Sequence, residues 1–285
     1  MKVFHVKHFH TRKTNLMEIV AVGNQKGGVG KTTTVVNIAT GLALKGNRIA
    51  VLDLDPQGNA TSGFGLSKND FEGTIYNVFS GELHIEQILI GTDFNNLFVA
   101  PANATLINAD NVLGDTQGRE FIIKKDLARV EDYFDYVFID CPPSLGLLTL
   151  NALTAANQII VPLQCEYYAL EGISSLMDTI DFVRANLNPG LELGGILPTM
   201  YDGRTNLSRQ VCENAREFFG DAVFQSVIPR NIKISESPSF GKPIIVYDPV
   251  SAGALAYTTA CDELEERLQD KQQRRNKRSN IKEAV

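Results

Sequence analysis

Short apolar runs alternate with helix-length segments along most of the chain. Five of these runs are rich in β-branched and aliphatic residues and close on a polar or glycine-containing turn: EIVAVGN (18–24), RIAVLDLD (48–55), YVFIDCPPS (136–144), QIIVPLQ (158–164) and LGGILPT (193–199). Strands that are apolar on both faces are typical of a parallel sheet covered by helices on both sides and joined by right-handed crossovers. The sequence therefore predicts an α/β fold with a doubly wound, mostly parallel sheet.

Helical periodicity follows the first predicted strand and returns near the end of the chain. KTTTVVNIATGLALKG, residues 31–46, has apolar residues at helical spacing and stops at Gly46, and SAGALAYTTACDELEERLQD, residues 251–270, has the pattern of a closing helix. No internal repeat and no long linker rich in Pro, Gly or Ser divides the sequence. Residues 18–270 are therefore predicted to form a single domain.

Basic charge is concentrated at the two ends of a chain whose formal net charge is -6. Residues 1–17 contain four Lys/Arg and no acid, and residues 271–285 contain six Lys/Arg and one Glu. The body between them has 17 basic and 32 acidic residues. Both ends are predicted to be solvated, disordered tails, and contact of a tail with nucleic acid is the alternative.

Cysteine spacing and hydropathy bear on the cellular compartment. Cys141, Cys165, Cys212 and Cys261 are at least 24 residues apart and form no CxxC pair, which predicts reduced thiols and disfavours a metal site or a disulfide framework. No apolar run of about 18 residues occurs, and the charges in residues 1–17 do not fit a secretory signal. We therefore expect a cytoplasmic protein without a membrane span.

A glycine-rich loop joins the first predicted strand to the first predicted helix. NQKGGVGKTTT, residues 24–34, matches the phosphate-binding pattern GxxxxGK[ST] except that Gln25 replaces the first glycine and Lys26 is an additional lysine. In this context backbone N–H groups and the helix N-terminus would face phosphate oxygens, with Lys31 on the β and γ phosphates and Thr32 on Mg²⁺. The residues predicted to form this cradle are Gly27, Gly28, Val29, Gly30, Lys31, Thr32 and Thr33.

Acidic residues close two of the predicted strands. Asp140 ends YVFID at the position of a Walker-B acid, where it can hold the Mg²⁺ shell. Asp53 and Asp55 end VLDLD, and alternation along a strand puts them on one face. One of these two carboxylates can support the metal while the other orients water; the alternative is that both simply begin a turn before Pro56.

The base preference follows from an element that the sequence lacks. GTP-hydrolysing enzymes use an Asn-Lys-x-Asp element after the Walker-B strand. The nearest match, SKND at 67–70, lacks the Asn and precedes that strand. This comparison favours ATP.

Six motifs in order carry a resemblance to a known family. They are KGGVGKTT, DLDPQGNATSGFG, FIDCPPSLGLLTLNAL, PLQCEYYALEG, TMYDGRTNLS and VIPRNIKISESPSFGKPIIVYDP. Together they resemble the ParA/Soj family of chromosome and plasmid partition ATPases, P-loop NTPases with a deviant Walker A motif. The resemblance extends from about Glu18 to Leu268.

The resemblance implies roles for particular residues. Lys26 would reach across a nucleotide-sandwich homodimer to the phosphates of the partner's ATP, and with Lys31 and Asp55 it would form the catalytic set. Asp55 would orient the attacking water, and Asp53 would support Mg²⁺ together with Thr32 and Asp140. The segments at Met200 and at Pro229 and Arg230 would border the adenine.

The resemblance also implies partners. Members of the family bind double-stranded DNA non-specifically as ATP dimers on the nucleoid, and a ParB-type, centromere-bound partner stimulates otherwise slow hydrolysis and thereby releases the DNA. Arg204 and Lys233 stand at matching positions, with Arg216 and Arg230 nearby. The alternative for each of these cations is an ordinary surface ion pair.

Two other functions use the same scaffold. A MinD-like positioning ATPase would end in a basic amphipathic helix in the lipid interface, but the predicted final helix is acidic. The tail beyond it has only Ile281 and Val285 as large aliphatic residues. Membrane binding is therefore disfavoured. A metabolic or metal-cluster enzyme would need additional cysteine or substrate motifs, which the sequence does not contain.

Overall fold

A mostly parallel sheet forms the centre of the structure, a computed structural model that describes residues 16–68, 70–166 and 169–283. Its strands are β1 (Glu18–Val22), β2 (Ile49–Asp53), β3 (Ile90–Gly91), β4 (Leu97–Ala100), β5 (Tyr136–Asp140), β6 (Gln158–Gln164) and β7 (Glu192–Thr199). Within the described ranges the spatial order is β3-β4-β2-β5-β1-β6-β7, and every neighbouring pair is parallel except β3 with β4. The predicted doubly wound α/β fold is confirmed.

The connections between strands contain the helices. These are α1 (Lys31–Leu44), α2 (Asn59–Gly63), α3 (Ile75–Phe79), α4 (Ile85–Ile88), α5 (Ala109–Leu113), α6 (Ile122–Leu127), α7 (Leu147–Ala155), α8 (Ala169–Asn186), α9 (Asn206–Phe219), α10 (Ile232–Glu236), α11 (Ile244–Tyr247) and α12 (Ala252–Glu283). Short 3₁₀ helices occur at Ala104–Asn108, Arg119–Phe121, Ala128–Val130, Gly220–Ala222 and Ser237–Phe240. Each of the five predicted apolar runs contains a strand, whereas β3 and β4 were not predicted.

Alternation along the strands divides the interior into two apolar layers. Ala21 of β1 lies in a cluster that includes α7 and α8, whereas its neighbours Val20 and Val22 face the layer formed with α1 and α12. Both faces of the sheet are therefore removed from water, which explains why its central strands are apolar without interruption.

The C-terminal helix is longer than predicted. The sequence pattern places the end of the closing helix at Asp270 and a disordered tail after it, but α12 continues to Glu283. The basic segment contains no Gly or Pro and is rich in Lys, Arg and Gln, which are good helix formers, so its charge does not prevent helix formation. Lys271 joins it to the domain, because its Nζ donates to the carbonyl oxygen of Leu193 at 2.6 Å. The predicted N-terminal extension lies outside the described residues except for Leu16 and Met17.

The contact between α1 and α12 depends on a glycine. A Cβ atom at Gly41 would collide with the Sγ of Cys261 and lie 3.3 Å from the Cδ1 of Ile245. Cys261 is itself buried in α12. The two helices thus approach at a point where any side chain on α1 is too large.

We expect Gly41→Ala to destabilise the protein by about 1–3 kcal/mol in urea unfolding, because overpacking exceeds the roughly 1 kcal/mol gained in helix propensity. The same substitution in a Cys261→Ala background should cost less, since the colliding sulfur is gone. A stabilising Gly41→Ala in the wild-type background would contradict this close approach.

Candidate active site

The loop between β1 and α1 lies at the carboxyl edge of the sheet. Gly28 and Gly30 have φ values of 74° and 92°, a left-handed conformation that favours glycine, and Gly30 is the N-cap of α1. Gln25 has no such requirement, since the described non-glycine residues with positive φ are Asn96 and Met200. Its side chain instead donates to the Oγ of Ser175 at 3.0 Å. The loop therefore tolerates glutamine where the common pattern has glycine.

Lys31 lies almost buried at the start of α1. Its Nζ donates to the carbonyl oxygen of Lys26 at 3.0 Å, which draws the side chain back across the loop. Burial lowers the pKa of Lys31, and the nearby carboxylates of Asp140 and Asp55 partly oppose this shift. An ammonium has three donors, so this position offers a cation and further N–H groups to an anion in the loop.

Asp140 and Asp53 stand side by side in register at the ends of β5 and β2. Both are fully buried. The Thr32 hydroxyl donates to Oδ2 of Asp140 at 2.7 Å, whereas Oδ1 of Asp140 is buried without a hydrogen-bond partner among the described residues. Burial, followed by the neighbouring Asp53 charge, holds the pKa of Asp140 well above its usual range. An unsatisfied buried carboxylate oxygen is costly, so Oδ1 is suited to a cation or to water bound to one.

Asp53 is more fully engaged than its neighbour. Its Oδ2 accepts hydrogen bonds from the backbone N–H and the hydroxyl of Thr61, at 2.8 and 2.7 Å, and its Oδ1 accepts from the N–H of Asp55 at 3.2 Å. Burial nevertheless raises the pKa of Asp53 to about 6. Asp140 is therefore the acid that keeps a free oxygen, and the support of Mg²⁺ by Asp53 stays a prediction.

The donor set fits a Mg²⁺ ion bound together with phosphates. The described residues contain no group of three or more His, Cys, Asp or Glu side chains that could enclose a metal. Mg²⁺ in nucleotide sites is held by one or two protein oxygens, with phosphates and water completing the shell. Thr32 and Asp140 would supply the protein oxygens.

Asp55 lies two residues beyond the end of β2. Its Oδ1 accepts from the N–H of Gln57 at 2.8 Å, and its carbonyl oxygen accepts from the N–H of Gly58 at 2.8 Å. Asp55 thus begins a turn, which agrees with the alternative given above that the acids precede a turn at Pro56. Only one of its carboxylate oxygens is used in this turn, so the other can hold water.

A cavity borders the loop on the α12 side, with a volume of about 340 Å³. Its lining includes Gly30, Thr33, Thr199, Met200, Pro229, Arg230, Asn231 and Tyr257. Backbone hydrogen bonds at 3.0 Å, from Tyr201 to Ile228 and from Arg230 to Tyr201, hold its two outer segments together. The structure thus brings the predicted adenine-bordering residues to one cavity beside the loop, and their contact with a base stays a prediction.

Glu166 is a site residue that the sequence reasoning did not identify, although it lies in the motif PLQCEYYALEG. Its Oε2 is 3.7 Å from the Nζ of Lys26, and its Oε1 accepts from Arg230 at 3.1 Å. Asn24, also not identified, fixes the other side of Lys26, since its Oδ1 accepts the N–H of Lys26 at 3.0 Å and its Nδ2 donates to the Pro162 carbonyl. The additional lysine therefore has a defined carboxylate partner within its own subunit.

The four predicted DNA-contacting cations differ in their surroundings. Arg204 is 88% exposed and forms a two-pronged pair with Asp202, at 2.9 and 2.8 Å, which lowers the pKa of Asp202 to about 2. Lys233 pairs with Glu236 at 3.0 Å. Arg230 faces Glu166, and Arg216 is half-buried on α9. Three of the four thus have an acidic partner, and their role in DNA binding stays a prediction.

Among the helices of the described residues, none is both long and apolar enough to cross a membrane.

The chain is similar to known proteins over most of its length. A family model described as an AAA domain matches residues 17–193. The chain is 49% identical over 247 residues to the sporulation initiation inhibitor protein Soj of Bacillus subtilis, covering 87% of this chain and 98% of that protein. It is 48% identical over 257 residues to the chromosome partitioning protein ParA of Myxococcus xanthus, covering 90% and 91%.

A solved structure shares the fold. Cobyrinic acid a,c-diamide synthase from Mycobacterium smegmatis, with a bound ATP analogue and magnesium, has a TM-score of 0.78 and 39% identity, covering 89% of this chain and 96% of that one. The extent and level of identity to Soj and ParA, together with the phosphate loop and its facing acids, show that the chain belongs to the ParA/Soj family of chromosome-partitioning ATPases.

Proposed function

We propose that this chain hydrolyses Mg²⁺-ATP as a nucleotide-sandwich homodimer that binds double-stranded DNA non-specifically on the nucleoid. Hydrolysis, slow alone and stimulated by a ParB-type partner, would release the DNA during chromosome or plasmid segregation. The observation that carries the ATPase part is the meeting of Lys31, Thr32 and the free oxygen of Asp140 at the start of α1. The relatives named for chromosome partitioning support the cellular role.

Each site residue then has a distinct task. The loop from Gly27 to Thr33 would bind the phosphates through backbone N–H groups, with Lys31 offsetting their charge. When bound, Mg²⁺ would neutralise phosphate charge and orient the β and γ groups. Thr32 and Asp140 would hold that ion, and Asp53, beside Asp140 at the end of β2, would support it. The remaining oxygen of Asp55 would orient the attacking water.

Lys26 would act on the partner subunit. A cation supplied across a dimer interface stabilises charge that develops on the γ phosphate, as arginine fingers do. In the single chain this ammonium faces Glu166 at 3.7 Å. Dimer formation would exchange that carboxylate for the partner's phosphates, so Glu166 competes with assembly.

The alternatives receive less support. A MinD-like membrane ATPase would need an amphipathic apolar face at the C-terminus, whereas the helical segment from Lys271 to Glu283 has one large aliphatic residue, Ile281. The diamide synthase shares the scaffold and 39% identity, below the 48–49% of the partitioning relatives. ATP-dependent DNA binding would distinguish this proposal from the MinD-like alternative. An assay for ligase activity would distinguish it from the diamide synthase.

Substitutions of the two loop lysines should affect different steps. Lys31→Ala should weaken ATP binding by about tenfold or more in calorimetry, since a charge-assisted contact with phosphate is lost. Lys26→Ala should bind ATP almost normally yet remain a monomer by light scattering. A Lys26→Ala protein that dimerises like wild type would contradict the bridging role.

Asp55→Ala should trap an ATP-bound dimer. Loss of the carboxylate that orients water should slow hydrolysis by about 10²-fold, while the phosphate loop and the Thr32–Asp140 pair stay intact. Phosphate release and light scattering measure the two effects. Near-normal turnover would move the catalytic role to Asp53 or Asp140.

DNA binding should require ATP and should weaken with salt. Each Lys or Arg on a phosphate releases counterions, and a dimer doubles the contacts available on one duplex. Arg204→Glu or Lys233→Glu should abolish binding in filter assays while ATP-dependent dimerisation persists. Arg129→Glu is the matched control, because Arg129 is an exposed, ion-paired arginine just before β5, at the opposite edge of the sheet.

The alternative to a DNA-binding face with Arg204 and Lys233 is a DNA contact through the basic C-terminal end of α12. A truncation after Gln273 keeps the Lys271 contact with Leu193 and removes most of the basic charge. If this protein loses all binding while the Arg204 and Lys233 variants lose none, the proposed DNA face on the folded domain is wrong.

A further inference from the structure

Two cysteine thiols meet at the carboxyl edge of the sheet. Sγ of Cys165 and Sγ of Cys212 are 3.4 Å apart, although 47 positions separate them in the sequence. Both side chains are buried, at 2% and 3% exposure. Cys165 directly follows β6, and Cys212 lies in the middle of α9.

The backbone around both cysteines is fixed by hydrogen bonds. The N–H of Cys165 donates to the Thr199 carbonyl at 3.1 Å, and the Cys165 carbonyl accepts from the Ser208 hydroxyl at 3.3 Å. Ser208 precedes Cys212 by one turn of α9, so the same helix that holds the Cys165 backbone presents the second thiol. A disulfide has an S–S length of about 2.05 Å, so bond formation requires the two sulfurs to approach by a little over 1 Å.

The other two thiols have no such partner. The Cys141 thiol contacts the carbonyl oxygen of Ile139 in one apolar layer. The Cys261 thiol contacts carbonyl oxygens of α1 in the other layer. Burial raises the pKa of both thiols. They are therefore internal controls for the Cys165–Cys212 pair.

The charges around the pair distinguish the two sulfurs. The hydrogen bond with Cys165 and the guanidinium of Arg216, one turn further along α9, lower the pKa of Cys212, while burial and Glu213 oppose that shift. The same hydrogen bond and burial raise the pKa of Cys165, and Arg216 partly opposes that shift. The Nε of Arg216 is buried without a hydrogen-bond partner among the described residues, so its charge is not offset there by a bonded acid. Because Arg216 lies one turn from Cys212 on the same helix, we assign Cys212 as the attacking sulfur.

We propose that Cys165 and Cys212 form an intramolecular disulfide when the protein meets hydrogen peroxide or a small organic hydroperoxide. The Cys212 thiolate attacks the terminal oxygen of the peroxide, so that an S–O bond forms and the O–O bond breaks. This gives a sulfenic acid, and the leaving oxygen takes up a proton and departs as water or an alcohol. The sulfur of Cys165 then attacks the sulfenic sulfur, the S–S bond forms, and the second oxygen leaves as water. Two thiols are oxidised and one peroxide is reduced.

This site adjoins the nucleotide region. Glu166, the residue after Cys165, faces both Lys26 and Arg230. A disulfide at Cys165 would therefore tie the segment that carries Glu166 to α9. The sequence alone gave no sign of this pair, because the spacing resembles no disulfide or metal motif.

Peptide mapping of the reduced full-length chain after peroxide treatment and alkylation tests the proposal. We expect a Cys165–Cys212 cross-linked peptide, a fall from four free thiols to two, and full reversal by dithiothreitol. Cys141→Ser and Cys261→Ser should still form the bond, whereas Cys212→Ser should form none. Separate over-oxidation of the two sulfurs, or a bond to another cysteine or chain, would overturn the proposal.

Arg216→Gln tests the activation of Cys212 independently of the bond itself. Its rate of disulfide formation should be several-fold below wild type near neutral pH, and the difference should shrink as pH rises, because the thiolate then forms without the guanidinium. Glu213→Gln should shift the rate the opposite way. Equal rates for wild type and Arg216→Gln at neutral pH would contradict the assignment of Cys212 as the attacking sulfur.

Discussion

The hydrogen bond from Thr32 to Asp140 is the contact on which the rest of the site depends. It joins the first turn of α1 to the end of β5, and thereby sets the phosphate loop against the acidic edge of the sheet. With Oδ2 committed to Thr32, Oδ1 of Asp140 is left buried and unpaired beside Asp53. Two adjacent buried carboxylates are costly without a cation, which is why burial raises the pKa of each. The fold therefore holds an arrangement that a bound cation would stabilise.

The neighbouring strand β6 supplies the second constraint. Its carboxyl end places Glu166 between Lys26 and Arg230, so one carboxylate contacts both the phosphate loop and the segment that lines the neighbouring cavity. Such an ion pair is partly exposed and worth little for stability. Its importance is geometric, because it determines where the side chain of the additional lysine lies within the single chain.

Two of the cations predicted to contact DNA are exposed but already form ion pairs. Arg204 and Lys233 each have an acidic partner close by in the chain, which restrains the side chain while leaving it exposed. Contact with a phosphate backbone would have to replace or share these acids. A body with 32 acidic and 17 basic residues can bind DNA only where its cations gather on one face.

The sequence by itself determined the features that depend on neighbours along the chain. The phosphate loop, α1, the acids at the strand ends and five of the strands follow from local spacing, because a strand buried on both faces must be continuously apolar. β3 and β4 were not predicted, since segments of two and four residues are too short to show a period. The helix α12 also extends beyond its predicted end at Asp270. The basic charge of the following residues suggested a tail, but these residues are good helix formers.

Only the tertiary structure decided the contacts between distant segments. Thr32 on Asp140, Glu166 on Lys26 and Cys165 on Cys212 join positions that are 108, 140 and 47 residues apart. Their meeting depends on the strand order β2-β5-β1-β6-β7, which brings the ends of non-consecutive strands together. The chain specifies each residue type locally, but strand order and packing determine which of them meet, and no local pattern records that order.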